Sequence, residues 1–203
     1  MKIGLEKEFF VKQNGNCIVI PAKLPFDDSG LLTEARSQPF NNPEEAVFSL
    51  KADIFRIEQK VQSLNLQLSD IPVEKIPRDV HLEASRRFTK GLTKYQNLYG
   101  FKHHKNTSKE TPAGIHISFT NPKSIYDSES KKTVSYNGVF DFVSLFKFLD
   151  SQFVEEIKAA KRNPGFYEIK GDGRIEYRSL PANTNLDKII NVLKSVNLDS
   201  FCI

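Results

Sequence analysis

Carboxylates recur in this chain as short pairs on segments that alternate apolar and polar residues. Glu6 and Glu8 stand two apart in the run Ile3 to Val11. Glu34 and Arg36 do so between Leu31 and Ser37, and Glu176 and Arg178 in Ile175-Glu-Tyr-Arg178. His116 lies inside another alternating run, Ala113 to Thr120, with small Gly114 and Ser118 on its own side. Residues two apart on a strand share a face and lie about 7 Å apart. If these segments are neighbours in one sheet, four acids and an imidazole meet on one face. Carboxylates 4 Å apart repel by about 4 kcal/mol at an effective dielectric near 20, so such a group calls for cations. Carboxylate oxygens with a single imidazole suit Mg²⁺ or Mn²⁺ better than Zn²⁺. Arg36 and Arg178, interleaved with the acids, either balance charge or hold phosphate or carboxylate. The plainer alternatives are a solvated sheet face for each acid and a hydrogen-bonded structural role for His116. Crowding also implies that losing one acid, such as Glu176, leaves the metal-free protein no less stable.

The elements that must position these residues can be read from local signals. Ile3, Leu5, Phe9 and Val11 oppose Gly4, Glu6 and Glu8, with Lys7 as the exception on the apolar side. Asn14-Gly15 then marks a type I′ hairpin turn, returning through Cys17 to Ile20. Asn42-Pro43-Glu44-Glu45 is a helix start, and apolar residues from Ala46 to Leu68 follow at helical spacing. Residues 70 to 112 read as irregular. Residues 121 to 137 read as a mobile polar loop, and Gly138 to Lys161 as a Phe-rich amphipathic helix stopped by Asn163-Pro164-Gly165. A hairpin around Gly171-Asp172-Gly173 and a short helix over Asn185 to Leu198 close the chain. The expectation is a single α+β domain over residues 1–203.

Composition narrows the classes. The chain has 203 residues, 39% hydrophobic and 27% charged, with a net charge of +4. It is long enough to bury a core without disulfide or metal support. No stretch of 18 apolar residues offers a membrane span. Two cysteines, Cys17 and Cys202, form no CxxC or zinc pattern and suit a reducing cytoplasm. The opening residues are too acidic for a signal peptide. From Arg86 to Lys109 there are seven Lys or Arg and no acid, interleaved with Phe88, Tyr95, Tyr99 and Phe101. A solvated basic loop is one reading of this segment. A lid over ATP or an acidic substrate, built on Lys102, His103, His104 and Lys105, is a second. Nucleic acid is the least favoured, since the whole chain is only mildly basic.

The four motifs occur in the order Gly-Leu-Glu6-Lys-Glu8-Phe-Phe, Asp27-Asp28-Ser-Gly-Leu-Leu-Thr-Glu34-Ala-Arg36, Ala-Gly-Ile-His116-Ile-Ser and Ile-Glu176-Tyr-Arg178-Ser-Leu. This series resembles the glutamate–cysteine ligase / glutamine synthetase superfamily of carboxylate–amine ligases, and most of all its small phage-type members. The resemblance implies an antiparallel sheet curved around two or three divalent ions, with helices on its convex face. It implies Glu6, Glu8, Asp27, Glu34, His116 and Glu176 as ligands of Mg²⁺ or Mn²⁺, with Asp28 competing for the place of Asp27. Arg178 and Arg162 correspond to phosphate-contacting, catalytic arginines at the rim. Arg36 is placed at the substrate, and Lys105 at ATP. The implied reaction is ATP-dependent amide formation between a small-molecule or peptide carboxylate and an amine, through an acyl phosphate. Homo-oligomers are common in the superfamily. The chain is shorter than typical members and has His116-Ile-Ser118 where near relatives carry a fuller H-x-H. Two other functions fit the same acids: an inactive relative that binds a partner protein, and a metal-dependent phosphotransferase or hydrolase.

Overall fold

Strand parity and capping account for most of the elements in the computed structural model. It describes every residue except 27–28, 88–95, 102–109, 121–123, 128–131, 136–139, 171–172 and 203, and only the backbone of 124–127 and 132–135. The strand β1 (Lys2–Gln13) turns at Asn14 and Gly15, both at positive φ (51° and 81°), into β2 (Asn16–Cys17). The turn therefore forms where expected, although the returning strand stops at Cys17. After β3 (Leu32–Arg36) comes α1 (Pro43–Ser63), where the Asn42 side chain accepts the Glu44 amide N–H.

That helix is shorter than its apolar periodicity predicts. Asn65 takes a left-handed conformation (φ 57°), and Leu68 pairs with Val11 in β4 (Gln67–Ser69). The segment 70 to 112 is not wholly irregular either. It contains β5 (Val73–Lys75), α2 (Arg78–Arg87), β6 (Gln96–Asn97) and β7 (Glu110–Pro112). Each is held by partners distant in sequence, so local periodicity carried little trace of them.

The strand β8 (Gly114–Thr120) follows, then a hairpin of β9 (Ser124–Asp127) and β10 (Lys132–Ser135) where a polar loop is expected. The Phe-rich helix begins later than predicted, at α3 (Phe142–Gln152), because Asp141 caps it by accepting the Ser144 N–H. It breaks at Phe153 into α4 (Val154–Ala159). The chain ends with β11 (Phe166–Ile169), β12 (Ile175–Pro181), α5 (Leu186–Lys194) and a 3₁₀ turn at Leu198–Phe201.

All pairings are antiparallel, in the order β2-β1-β8-β12-β11-β6, and β1 also pairs with β3 and β4. The fold is thus α+β. The odd-numbered side of β1 (Ile3, Leu5, Phe9, Val11) joins Ile115, Ile117, Phe119, Tyr177 and Leu180 in the main core, which α1, α3, α4 and α5 cover. Much of the Phe content is used here: Phe146 stacks against Phe119, Phe142 and Tyr177 with ring centres 5.3–5.9 Å apart. Beneath this core Asp150 accepts from Tyr177 Oη (2.7 Å), Tyr99 Oη (2.9 Å) and the Gly165 N–H (3.1 Å). Burial pushes its carboxyl upward, and burial with Asp150 beside it pushes the Tyr99 phenol up to about 12. None of the helices is long and apolar enough to cross a membrane, among the described residues.

Candidate metal centre

The opposite, even-numbered side of β1 carries Glu6 and Glu8, and the sheet register determines what stands beside them. In antiparallel strands, directly opposed residues share a face. Glu6 is flanked by Arg36 on β3 and His116 on β8, while Glu8 faces Glu34. One row further along, Gly4 faces Ser118, which faces Glu176, which faces Glu168. Gly4 and Ser118, both small, stand in this row beside Glu6, His116 and Glu176. One ligand atom from each of these three lies within 4.8 Å of the others. The expected convergence of Glu6, Glu8, Glu34, His116 and Glu176 on one face is therefore what the structure contains.

The site is closed at one end by a second apolar cluster that uses the same strand faces. Phe10 and Leu32, paired across β1 and β3, continue the Glu8 and Glu34 positions and pack with Ala113, Ala182, Ile76 and Ala84 of α2. Apolar packing on this side covers the adjoining Glu8 and Glu34, which are buried; Glu176, in the Gly4–Ser118 row further along, is buried completely.

The partners of each side chain define the electrostatics. Glu8 Oε2 accepts the Gly114 N–H at 2.7 Å. Its Oε1 lies 3.6 Å from His116 Nε2, and Glu6 Oε2 lies 3.6 Å from His116 Nδ1. Both separations exceed a hydrogen bond. His116 is 2% exposed, and its Nδ1 has no hydrogen-bond partner. Burial first, then Arg178, push the imidazole down to about 4, against the upward pull of Glu6 and Glu176. The ring is therefore neutral at pH 7. Burial raises the Glu6 carboxyl, but His116, Arg36 and Lys170 outweigh it and bring the group down to about 2.

Arg36 Nε stands 3.4 Å from Glu6 Oε1, and its Nη2 pairs with Glu34. Its side chain is 61% exposed, as befits a residue at the mouth of the site. Arg178 Nη1 donates to Glu176 Oε2 (2.8 Å) and Glu168 Oε2 (3.1 Å), and Ser118 Oγ donates to Glu176 Oε1 (3.2 Å).

Arg162 has another task. Its Nε, Nη1 and Nη2 donate to the carbonyls of Ser179 (3.1 Å), Ala113 (3.1 Å) and Arg178 (2.8 Å). Those carbonyls flank a β-bulge: between Tyr177 and Leu180 the register with β8 slips by one residue. The bulge lets Tyr177 and Leu180, three apart, both enter the core while Arg178 stays on the acid side. The expected place of Arg162 at a phosphate-facing rim is thus corrected: its guanidinium is held by backbone and positions the strand that bears Glu176 and Arg178. Asp27, its competitor Asp28, and Lys105 with its neighbours lie outside the described residues.

Two members of the cluster escape sequence reasoning. Glu168 and Lys170 come from β11 and its end, and Lys170 Nζ lies 3.0 Å from Glu168 Oε2 and 3.1 Å from Glu176 Oε2. The signal available was parity, since residues 167–170 alternate, but it had no weight until β11 was known to flank β12.

The donor set fits a hard divalent cation with one imidazole. The fit is carried by His116 Nδ1, a buried and unpartnered nitrogen of a neutral ring facing an ionised carboxylate. With the ring proton on Nε2, toward Glu8, Nδ1 and Glu6 Oε2 are two acceptors turned toward each other, an unfavourable contact until a cation lies between them. A carboxylate beside the other ring nitrogen, here Glu8, is the usual support of a metal-binding histidine. Close packing at this point gives a direct test. A Cβ on Gly114 would lie 3.0 Å from the Leu180 carbonyl oxygen, 3.1 Å from Arg162 Nη2 and 3.3 Å from His116 Nε2. Gly114→Ala is expected to cost about 1–3 kcal/mol, as overpacking usually does, measured by denaturant unfolding. A neutral outcome would mean that Arg162 and His116 are loosely held. No protein-family model and no curated protein sequence matches the chain.

Proposed function

We propose that this protein is an ATP- and Mg²⁺-dependent carboxylate–amine ligase of the glutamine synthetase-like type, with its sheet curved about the acidic face. The observation that carries the reading is the convergence of Glu6, His116 and Glu176 from three adjacent strands around a buried, unpartnered imidazole nitrogen. Glu6, His116 and Glu176 would hold one cation, and Glu8 and Glu34, with Asp27, another. A bound Mg²⁺ (or Mn²⁺) neutralises the triphosphate and the charge that develops on it. Arg178 is placed to exchange its carboxylate partners for the transferring phosphoryl group, and exposed Arg36 to meet the substrate carboxylate. The substrate carboxylate attacks the γ-phosphate, ADP leaves, and the amine then displaces phosphate from the acyl phosphate to form an amide. Arg162 acts as a positioning residue through the bulge. The substrates are a small-molecule or peptide carboxylate and an amine, in the cytoplasm, with a homo-oligomer as the proposed assembly.

Hydroxylamine serves as a generic amine in the test. With Mg·ATP and a panel of amino-acid and peptide carboxylates, the expected result is ADP release together with a hydroxamate. ADP without hydroxamate would favour a phosphohydrolase. Absence of both would favour a metal-free binding module, a reading that draws on the same ion pairs of Arg36, Lys170 and Arg178. Arg178→Lys keeps the charge and loses the planar fork. It is expected to weaken Mg·ATP binding about tenfold, on the scale of one charge-assisted bond, with Mn²⁺ binding to the ATP-free protein little changed. Unaltered calorimetric titration with Mg·ATP would leave Arg178 as a counter-charge of the sheet only.

A further inference from the structure

We propose that Lys170 is a built-in counter-ion of the cluster, and that a divalent cation loads by displacing its ammonium from Glu168 and Glu176. The proposal rests on the metal reading of the site and adds to it a residue that regulates occupancy. Two cations share the same pair of carboxylate oxygens: Lys170 Nζ at 3.0 and 3.1 Å, and Arg178 Nη1 at 3.1 and 2.8 Å, from Glu168 Oε2 and Glu176 Oε2. They differ in freedom to leave. Arg178 is 14% exposed and comes from the bulge that Arg162 pins. Lys170 is 28% exposed and reaches in from the end of β11 on a flexible four-carbon stem. Its backbone is fixed independently, since Lys170 N–H donates to the Arg174 carbonyl and Gly173 N–H donates to the Lys170 carbonyl. Release of the ammonium therefore needs only side-chain rotation.

Charge gives the exchange its direction. Glu6, Glu8, Glu34, Glu168 and Glu176 face Arg36, Lys170, Arg178 and the nearby Arg162, so the cluster is almost neutral without metal. A divalent ion ligated by Glu176 meets the Lys170 ammonium as a like charge inside a partly desolvated site, where repulsion is strong. With Lys170 withdrawn, Glu168 also faces the site with one cation fewer. The ammonium thus stabilises the metal-free protein and opposes loading.

Mn²⁺ alone is the probe, with binding followed by the paramagnetic resonance of the free ion. Lys170→Met is expected to bind Mn²⁺ at least about tenfold more tightly than the wild type, to melt lower without metal, and to be raised more by Mn²⁺. Lys170→Arg keeps the charge and should remain close to wild type. In the wild type itself, amine acetylation read by mass spectrometry should label Lys170 faster when Mn²⁺ is present. Equal or weaker Mn²⁺ affinity in folded Lys170→Met, or unchanged labelling of Lys170 while the wild type binds Mn²⁺, overturns the counter-ion role and leaves the metal centre standing. No Mn²⁺ binding by the folded wild type or either variant overturns the metal reading and this proposal together.

Discussion

Glu176→Gln is expected to remove ATP-dependent product formation and to weaken Mn²⁺ binding by more than about a hundredfold, beyond what loss of an outer-shell partner costs. The side chain is completely buried, so no water takes over the lost ligand. The sign of the stability effect is the opposite of what crowded acids alone imply. Glu176 is not held among unbalanced carboxylates; its Oε2 lies between Arg178 and Lys170, and its Oε1 accepts from Ser118. Its neutral replacement leaves two cations with Glu168 as their shared acid. The metal-free variant is therefore expected to lose about 2 kcal/mol, below the 3–5 kcal/mol of a fully buried pair because Glu168 remains. Mn²⁺ at a hundred times its dissociation constant should stabilise the wild type by about 2.7 kcal/mol and the variant hardly at all. Thermal melts with and without Mn²⁺ read both effects. A variant that is as stable as the wild type and still binds Mn²⁺ would falsify the assignment of Glu176 as a ligand.

The second large effect is a pH dependence of stability in the metal-free protein. His116 is pushed down to about 4 in the folded state, by burial first and Arg178 second, from an ordinary 6.5. Between these values the unfolded chain binds a proton that the native protein does not. Stability is therefore complete above about pH 6.5 and falls as pH drops toward 4, by about 3 kcal/mol in all. Glu6, brought from 4.5 down to about 2, adds a further loss only below pH 4.5. Burial of Asp150 raises its carboxyl and acts in the opposite sense as pH falls, so the histidine's part is read from urea unfolding at pH 7, 5.5 and 4.5 as the difference between the wild type and His116→Gln, whose profile should lack the loss. The opposite slope, with stability lost as pH rises through 6.5, would show a protonated imidazole paired with Glu6 and Glu8. In that case the ring has no lone pair to offer a metal.

Some of this arrangement was legible in the residues because strand parity is local. Period-two alternation puts Glu6 with Glu8, Glu34 with Arg36, and Glu176 with Arg178 on single faces, whatever the strands do next. The Asn14-Gly15 turn and the Asn42-Pro43 helix start are equally local, since φ preferences and caps act within four residues. Tertiary structure decided the rest. Which strands adjoin was settled by burial of the odd faces under α1, α3, α4 and α5, and that placed Glu6 between Arg36 and His116. The β12 bulge, invisible to parity, turned Leu180 into the core beside Tyr177 and gave Arg162 its backbone partners. Glu168 and Lys170 joined the cluster only through the pairing of β11 with β12, and Phe10 with Leu32 turned the neighbouring polar face into a closed, apolar end. A residue's face follows from its own chain; partners such as Arg36 and His116 reach Glu6 from strands tens of residues away, and only packing brings them within range.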